Sequence, residues 1–295
     1  MIELWVPITI GAAFFQNLRS VLQKRLTGRL SVGGATFARF LFAFPVAGLY
    51  VLGLNRMGEP WPHISTAFVP AALIGGIAQI IGTFLLVGLF QRRNFAVGNA
   101  FSKTETVQAA LFGALILGEL VSPWAGVGIG IGLIGIVVLS VPATGWGTLD
   151  RTAVVMGIGS GAAFGVAAVS YRTGALALEG TGFAMQAGLT LMVVVAIQTV
   201  LMGLYLAVRE TGELGRVLRA WRAVFLVSVV GVVSSIGWFT AMALENAALV
   251  RAVGQVELVF SILSAGLLFG ERLKSRELAG IALVTGSILL IVLAG

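Results

Sequence analysis

Residues 117–128 read Leu117-Gly118-Glu119-Leu120-Val121-Ser122-Pro123-Trp124-Ala125-Gly126-Val127-Gly128. The same order of an apolar helix end, Gly-Glu, a short polar turn and a Gly-rich apolar run returns as Phe269-Gly270-Glu271 through Gly280. The offset of 152 residues is close to half of the 295-residue chain, and it also superposes Asn94 on Asn246, Glu105 on Glu257 and Gly128-Ile129 on Gly280-Ile281. An offset of 150 lays Gly11-Ala12-Ala13-Phe14 over Gly161-Ala162-Ala163-Phe164. Leu and Ala recur by chance in an apolar chain, but Asn and Glu seldom do. The chain therefore reads as two copies of one unit, 1–146 and 147–295.

The residues around these blocks decide the solvent. Hydrophobic residues make up 58% of the chain and charged ones 11%, with a mean hydropathy of +1.02. Soluble proteins carry about 25% charged residues. The 19 Lys and Arg and 12 Asp and Glu cannot cover a globule of this size, so most of its surface must face lipid. Apolar windows near 5–23, 33–54, 67–89, 94–117 and 124–142, and again near 152–171, 183–207, 222–243, 247–269 and 277–294, give ten candidate helices. Each is long enough for a hydrocarbon core of about 30 Å at about 1.5 Å per residue. The fold class expected is an all-α integral membrane protein of ten transmembrane helices in two five-helix repeats. The first window carries Glu3 in place of a basic leader and is read as a retained helix.

Duplicating a unit of five crossings inserts the second copy upside down, and the charges agree. Basic connectors are the first and third in the first copy, and the second and fourth in the second copy, where Arg209 to Arg222 and Arg272 to Arg276 lie. Across the whole chain only Arg56 and Arg172 fall on the opposite side. The positive-inside rule makes the rich side cytoplasmic and both termini extracytoplasmic, in a membrane of the bacterial inner (plasma) type. Inverted repeats are an architecture of secondary transporters, with the substrate near the bilayer midplane between the copies.

The repeated Gly-Glu block, together with Arg39 early in the second window within Phe37-Ala38-Arg39-Phe40, resembles the drug/metabolite transporter superfamily, specifically its ten-span EamA-like members, over nearly the whole chain. The resemblance implies two packed five-helix bundles, alternating access and small-metabolite substrates such as amino acids, nucleobases or drugs. Many such relatives have cytoplasmic termini and a basic connector after the second helix. The basic residues of this chain read the other way.

Ionisable groups inside a span are costly and need a partner or a wet cavity. Lys103 and Glu105 lie near the middle of 94–117 but about 160° apart around the helix, so they cannot pair on one face. Glu257 repeats Glu105, with Gly254 on its face, while Gln255 stands where the first copy has Lys103. Either these carboxylates and Lys103 line a translocation path, or they form a buried ion-pair network without a ligand. Arg39 is too deep to snorkel and is expected to face the cavity or pair with a carboxylate, Glu105 being one candidate. Gln79, Gln16 and Asn17 are candidate substrate contacts or packing groups, and Trp238 and Tyr171 candidate cavity aromatics. Arg19, Lys24 and Arg25 are expected to snorkel. Glu119 and Glu271 are expected to serve turn geometry.

Several functions are excluded or disfavoured. With no Cys and with His63 the only histidine, in a connector, neither a thiolate nor a Ser-His pair nor a Cys or His metal site is available, so no enzyme and no cofactor is expected. Gly130-Ile131-Gly132-Leu133-Ile134-Gly135 matches a dinucleotide fingerprint in letters only, because it lies inside an apolar window. It is expected to be a close-packing face. The net charge of +7 is read as lipid-facing loops, without nucleic acid. The expected function is secondary transport of small metabolites, by export or exchange. The expected partners are a small-molecule substrate, a proton or counter-substrate, and membrane lipid. A channel or structural membrane protein is the alternative, and the oligomeric state is left open.

Overall fold

A computed structural model describes residues 3–26, 28–89, 101–140, 151–260, 263 and 275–294. In chain order the elements are α1 (Trp5–Leu26), α2 (Val32–Phe37), α3 (Ala43–Arg56), β1 (His63–Ile64), α4 (Phe68–Leu89), α5 (Glu105–Leu117) and α6 (Pro123–Ser140). They continue with α7 (Arg151–Leu176), β2 (Leu178–Glu179), α8 (Phe183–Arg209), α9 (Glu213–Arg219), α10 (Trp221–Leu244), α11 (Ala247–Val253) and α12 (Ser275–Ala294). Among the described residues the fold is all-α apart from one antiparallel pair, β1 with β2, that the apolar windows did not signal.

The packing is that of a protein dissolved in lipid. Small side chains such as Ala35, Ala47, Ala72, Ala109, Ala167 and Ala187 are fully enclosed, and Leu49, Leu115, Val155, Val200 and Leu293 point outward with exposures of 67–83%. Helices in a bilayer gain by close backbone approach at small residues, because lipid is as apolar as Leu and does not drive large side chains inward. Among the described residues, α4, α7, α8 and α10, of 22 to 27 residues each, are long and apolar enough to cross a membrane, and shorter apolar helices lie at Glu105–Leu117, Pro123–Val138 and Leu278–Leu293. The protein is an integral membrane protein. α1 matches α4 in length but is made less apolar by Gln16, Asn17 and Arg19.

Three windows expected as continuous helices are interrupted. The window 33–54 divides into α2, turns over 38–42, and α3. Pro45 supplies the local cause, since it cannot donate to the Leu41 carbonyl and its ring crowds that turn. The freed groups are met by neighbouring helices. Ser228 Oγ donates to the Ala38 carbonyl at 2.8 Å and accepts from Phe42 N at 3.3 Å, and Thr199 Oγ1 donates to the Phe40 carbonyl at 2.9 Å. Irregular backbone is tolerated at membrane depth only where protein satisfies it in this way. In 94–117 the described chain is helical at 101–102, turns at 103–104, and resumes as α5. Thr104 Oγ1 donates back to the Phe101 carbonyl at 2.6 Å, a local bond that competes with the helical ladder. In 247–269, α11 ends at Val253, a turn occupies 254–255, and helix returns over 256–260.

The helix pairs in contact keep the same pattern when the two halves are exchanged. α4 packs on α7 as α1 packs on α10, α5 on α7 as α1 on α11, and α4 on α8 as α3 on α10. α3 with α8, α5 with α11, and α6 with α12 pair like with like. This is the contact pattern of a two-fold relation. At one end of the bundle the connector after α3 meets the connector after α7: His63 pairs with Glu179, Ile64 with Leu178, and Gly182 N donates to Glu59 at 3.1 Å. At the same end Arg172 Nε reaches Glu119 at 2.7 Å, and Arg172 Nη1 donates to the Met242 carbonyl at 2.9 Å. Glu119 thus adds an ion pair to its expected turn role, and Gly118 makes the turn itself with φ +69°. Glu271 lies outside the described residues. At the other end Ser31 N donates to Glu213 at 2.6 Å and Ser31 Oγ bonds Glu210, tying the start of α2 to the connector after α8.

Candidate substrate cavity between the two halves

A cavity of about 160 Å³ lies where the interrupted helices meet. One water takes about 10–15 Å³ on this measure, so the space suits roughly ten waters or one small metabolite. Its wall runs from the stacked rings of Tyr171 and Phe239, 4.2 Å apart, along α1 and α4 to Gln23 and Val87, near the Ser31 end of the bundle.

The turns at 103–104 and 254–255 bring the polar residues of both halves into this space. The two ion pairs cross between the copies: Lys103 Nζ lies 3.4 Å from Glu257 Oε2, and Arg251 Nη1 lies 3.2 Å from Glu105 Oε1. Gln16 Nε2 also donates to Glu257, at 2.7 Å. Lys103 and Glu105 do not pair with each other, as their spacing required. Arg39 does not meet Glu105: its Nη1 donates to Thr83 Oγ1 at 3.1 Å, and Arg251 takes the carboxylate. The reason is azimuth, because α5 packs directly against α11, the helix that carries Arg251. Each carboxylate is ion-paired, and each also lies in the cavity wall.

Gln79 has a fixed orientation. The Gly76 carbonyl needs a donor and receives Gln198 Nε2 at 3.2 Å, and that nitrogen also donates to Gln79 Oε1 at 2.7 Å. The Tyr171 hydroxyl donates to the same oxygen at 2.8 Å. With its oxygen occupied, Gln79 presents its amide N–H groups to the cavity. Gln255 Nε2 donates to Thr106 Oγ1 at 2.9 Å, and Trp238 lies beneath the Arg251 guanidinium, 4.7 Å from the ring centre. A Cβ at Gly254 would collide with the Trp238 ring, so a residue this small is what lets the interrupted helix settle on the aromatic.

Gln16, Arg39, Gln79, Lys103, Glu105, Tyr171, Trp238, Gln255 and Glu257 all line this one cavity. Asn17 is buried beside it but is not part of its described wall. Arg19 corrects the expectation of a snorkelling anchor: it is 5% exposed and belongs to the wall. The signal was present in the sequence. Gln16, Arg19, Ser20 and Gln23 fall at i, i+3, i+4 and i+7 and form one stripe of α1, which turns Arg19 toward the polar interior. Thr83 of the wall was also missed, as was Gln198, which holds Gln79 from outside the wall, because single neutral polar residues carry no depth or partner information in a sequence. Of the expected packing glycines, Gly128, Gly132 and Gly135 abut α12 at Ile291, Ser287 and Val284, whereas Gly130 meets nothing within 4 Å.

This polar wall lies inside a helical membrane bundle, where ionisable residues need a partner or a wet cavity. The chain belongs to the EamA-like transporter family, which it matches twice, over residues 3–141 and 151–293. It also shares its fold with a protein of known crystal structure, with a TM-score of 0.70 and 19% identity over 100% of both chains. No curated protein matches the sequence.

Proposed function

We propose that the protein is a secondary transporter of small metabolites, such as amino acids, nucleobases or drug-like compounds, that works by alternating access between two inverted five-helix halves. The observation that carries this reading is the charged cavity at the junction of the halves, built from interrupted helices, as in transporters whose substrate sites lie at the repeat interface. The two-fold contact pattern supports it. Inversion is supported by the shared ends: the connector after the second crossing of one half pairs with the connector after the first crossing of the other. Were both halves poled alike, these connectors would lie on opposite faces.

The cavity wall reaches toward the Ser31 end, and the opposite end is tied by the β1–β2 pair and the Arg172–Glu119 bridge. By the charge rule the Ser31 end is cytoplasmic. A site loaded from the cytoplasm fits export or exchange. The decisive experiment is counterflow in proteoliposomes: unlabelled substrate preloaded inside should accelerate uptake of labelled substrate, which a channel does not do. Absence of acceleration for every substrate that binds removes the alternating-access reading.

Orientation is tested separately, and the absence of Cys simplifies it. Met57, 84% exposed, lies beyond the end of α3, and Leu218, 50% exposed, lies on α9 at the opposite end. A Met57→Cys variant should react with a membrane-impermeant maleimide in intact cells, and Leu218→Cys only after permeabilisation. The reverse pattern would place the termini inside.

A further inference from the structure

Among the described residues, four cations, Arg19, Arg39, Lys103 and Arg251, share the cavity with two carboxylates, Glu105 and Glu257. Both carboxylates are already engaged, one by Arg251 and the other by Lys103 and Gln16. That leaves Arg19 and Arg39. Nε and Nη1 of Arg19 are buried without a hydrogen-bond partner, and Arg39, 9% exposed, bonds only the neutral hydroxyl of Thr83 among the described residues. Two further donors belong to residues of the same wall: Trp238 Nε1, which is buried without a partner, and the Gln79 amide nitrogen, whose oxygen is occupied. A buried guanidinium without a counter-charge is strongly unfavourable unless something supplies that charge. Glu257 attracts both arginines across the cavity, but that single carboxylate is already shared by Lys103 and Gln16 and cannot balance two further cations. The buried side-chain atoms of the wall without a hydrogen-bond partner are donors save Gln255 Oε1.

We propose that the substrate is a small organic oxyanion, a carboxylate or phosphate ester, whose charged group is held by Arg19 and Arg39 with Trp238 and Gln79 as accessory donors. The proposal rests on the transport reading above and names the chemical class that this transport takes. The guanidinium fork matches two oxygens of a carboxylate or phosphate, and both are most effective in a site shielded from water. The same surplus of positive charge opposes a cationic drug, and a neutral solute would leave both arginines unmatched.

The test uses the full chain in nanodiscs of zwitterionic lipid, with thermal unfolding read against compounds matched in shape. One series is glutarate, glutaramide and 1,5-diaminopentane; the other is glycerol 3-phosphate and glycerol. Ligands that favour the folded form raise its melting temperature. Glutarate or glycerol 3-phosphate should raise it, and the neutral and cationic members should not. Arg19→Met should weaken the apparent anion affinity by roughly tenfold or more, since it removes one side of a charge-paired contact. Its melting temperature without anion should be equal to or above that of the parent, because an uncompensated charge has been removed. Should Arg19→Met fail to fold, Arg19→Lys keeps the charge but not the fork and should still weaken the response. The proposal is overturned by a response to the diamine or the amides as large as to the anions, by no response to either anion, or by an anion response that Arg19→Met and Arg19→Lys leave unchanged. Counterflow with a neutral or cationic solute would overturn it while leaving alternating access standing. An Arg19-dependent anion response without counterflow would keep the anion site and remove transport.

Discussion

Glu105→Ala is expected to destabilise the protein by about 3 kcal/mol or more, and Arg251→Met in the same chain should restore most of the loss. The Glu105 and Arg251 side chains are 13% and 9% exposed, and Arg251 Nε already lacks a hydrogen-bond partner. Removing the carboxylate leaves a buried cation alone, which costs about 3–5 kcal/mol, whereas replacing a whole buried pair with apolar groups is often neutral. Met also suits the vacated space, because its sulfur packs well against an aromatic such as Trp238. Chemical or thermal unfolding of the parent, both single variants and the double variant in one nanodisc preparation gives the coupling directly. If Glu105→Ala changes stability by less than about 0.5 kcal/mol, as surface substitutions do, the ion pair is not the buried contact described here. Transport by the double variant then separates the two roles of Glu105. A stable, active double variant assigns Glu105 to scaffolding alone, and a stable, inactive one assigns it to the translocation path.

The recurrence of Glu105 at Glu257 was legible because a carboxylate at membrane depth stands out against Leu and Ala. The helices around them were legible because mean hydropathy over about 20 residues is what lipid selects. That same averaging hid the interruptions at 38–42, 103–104 and 254–255, which are a few residues long and leave the mean of the window unchanged. Each had a local clue of a different kind: Pro45 for the first, the back-bonding Thr104 for the second, Gly254 under Trp238 for the third. Depth could be read along the sequence, but azimuth could not. Arg39 and Glu105 were matched by depth, yet the contact between α5 and α11 gives Glu105 to Arg251. Arg19 was misjudged in the opposite way, from its nearness to a helix end. It lies seven residues before Leu26, or about 10 Å along the axis, and its stripe of α1 carries Gln16 and Gln23.

The second large effect lies in the backbone and not in a charge. Gly161 on α7 sits against the interruption before α5: a Cβ there would come within 2.7 Å of the Ser102 carbonyl oxygen and 3.1 Å of Glu105 N. Gly165, one turn on, faces Ala109 N at 3.1 Å in the same way. These neighbours are main-chain atoms and cannot rotate aside, so Gly161→Ala must push α7 from the segment that positions Glu105. Overpacking of this kind costs about 1–3 kcal/mol and occasionally more. Here it also draws the Glu105 carboxylate away from Arg251, so the loss should exceed the lower figure and transport should fall with it. Gly130→Ala is the matched comparison, since it lies within α6 with nothing within 4 Å of the new methyl group. Ala is about 0.8–1 kcal/mol better than Gly inside a helix, so Gly130→Ala should hold or raise stability. Both are the same substitution in an apolar helix of the same chain, and composition alone gives them one outcome. Opposite signs in unfolding measurements are the expected result. Equal responses would mean that α7 does not touch the interrupted helix at Gly161, and the close approach that assembles the cavity wall would have to be abandoned.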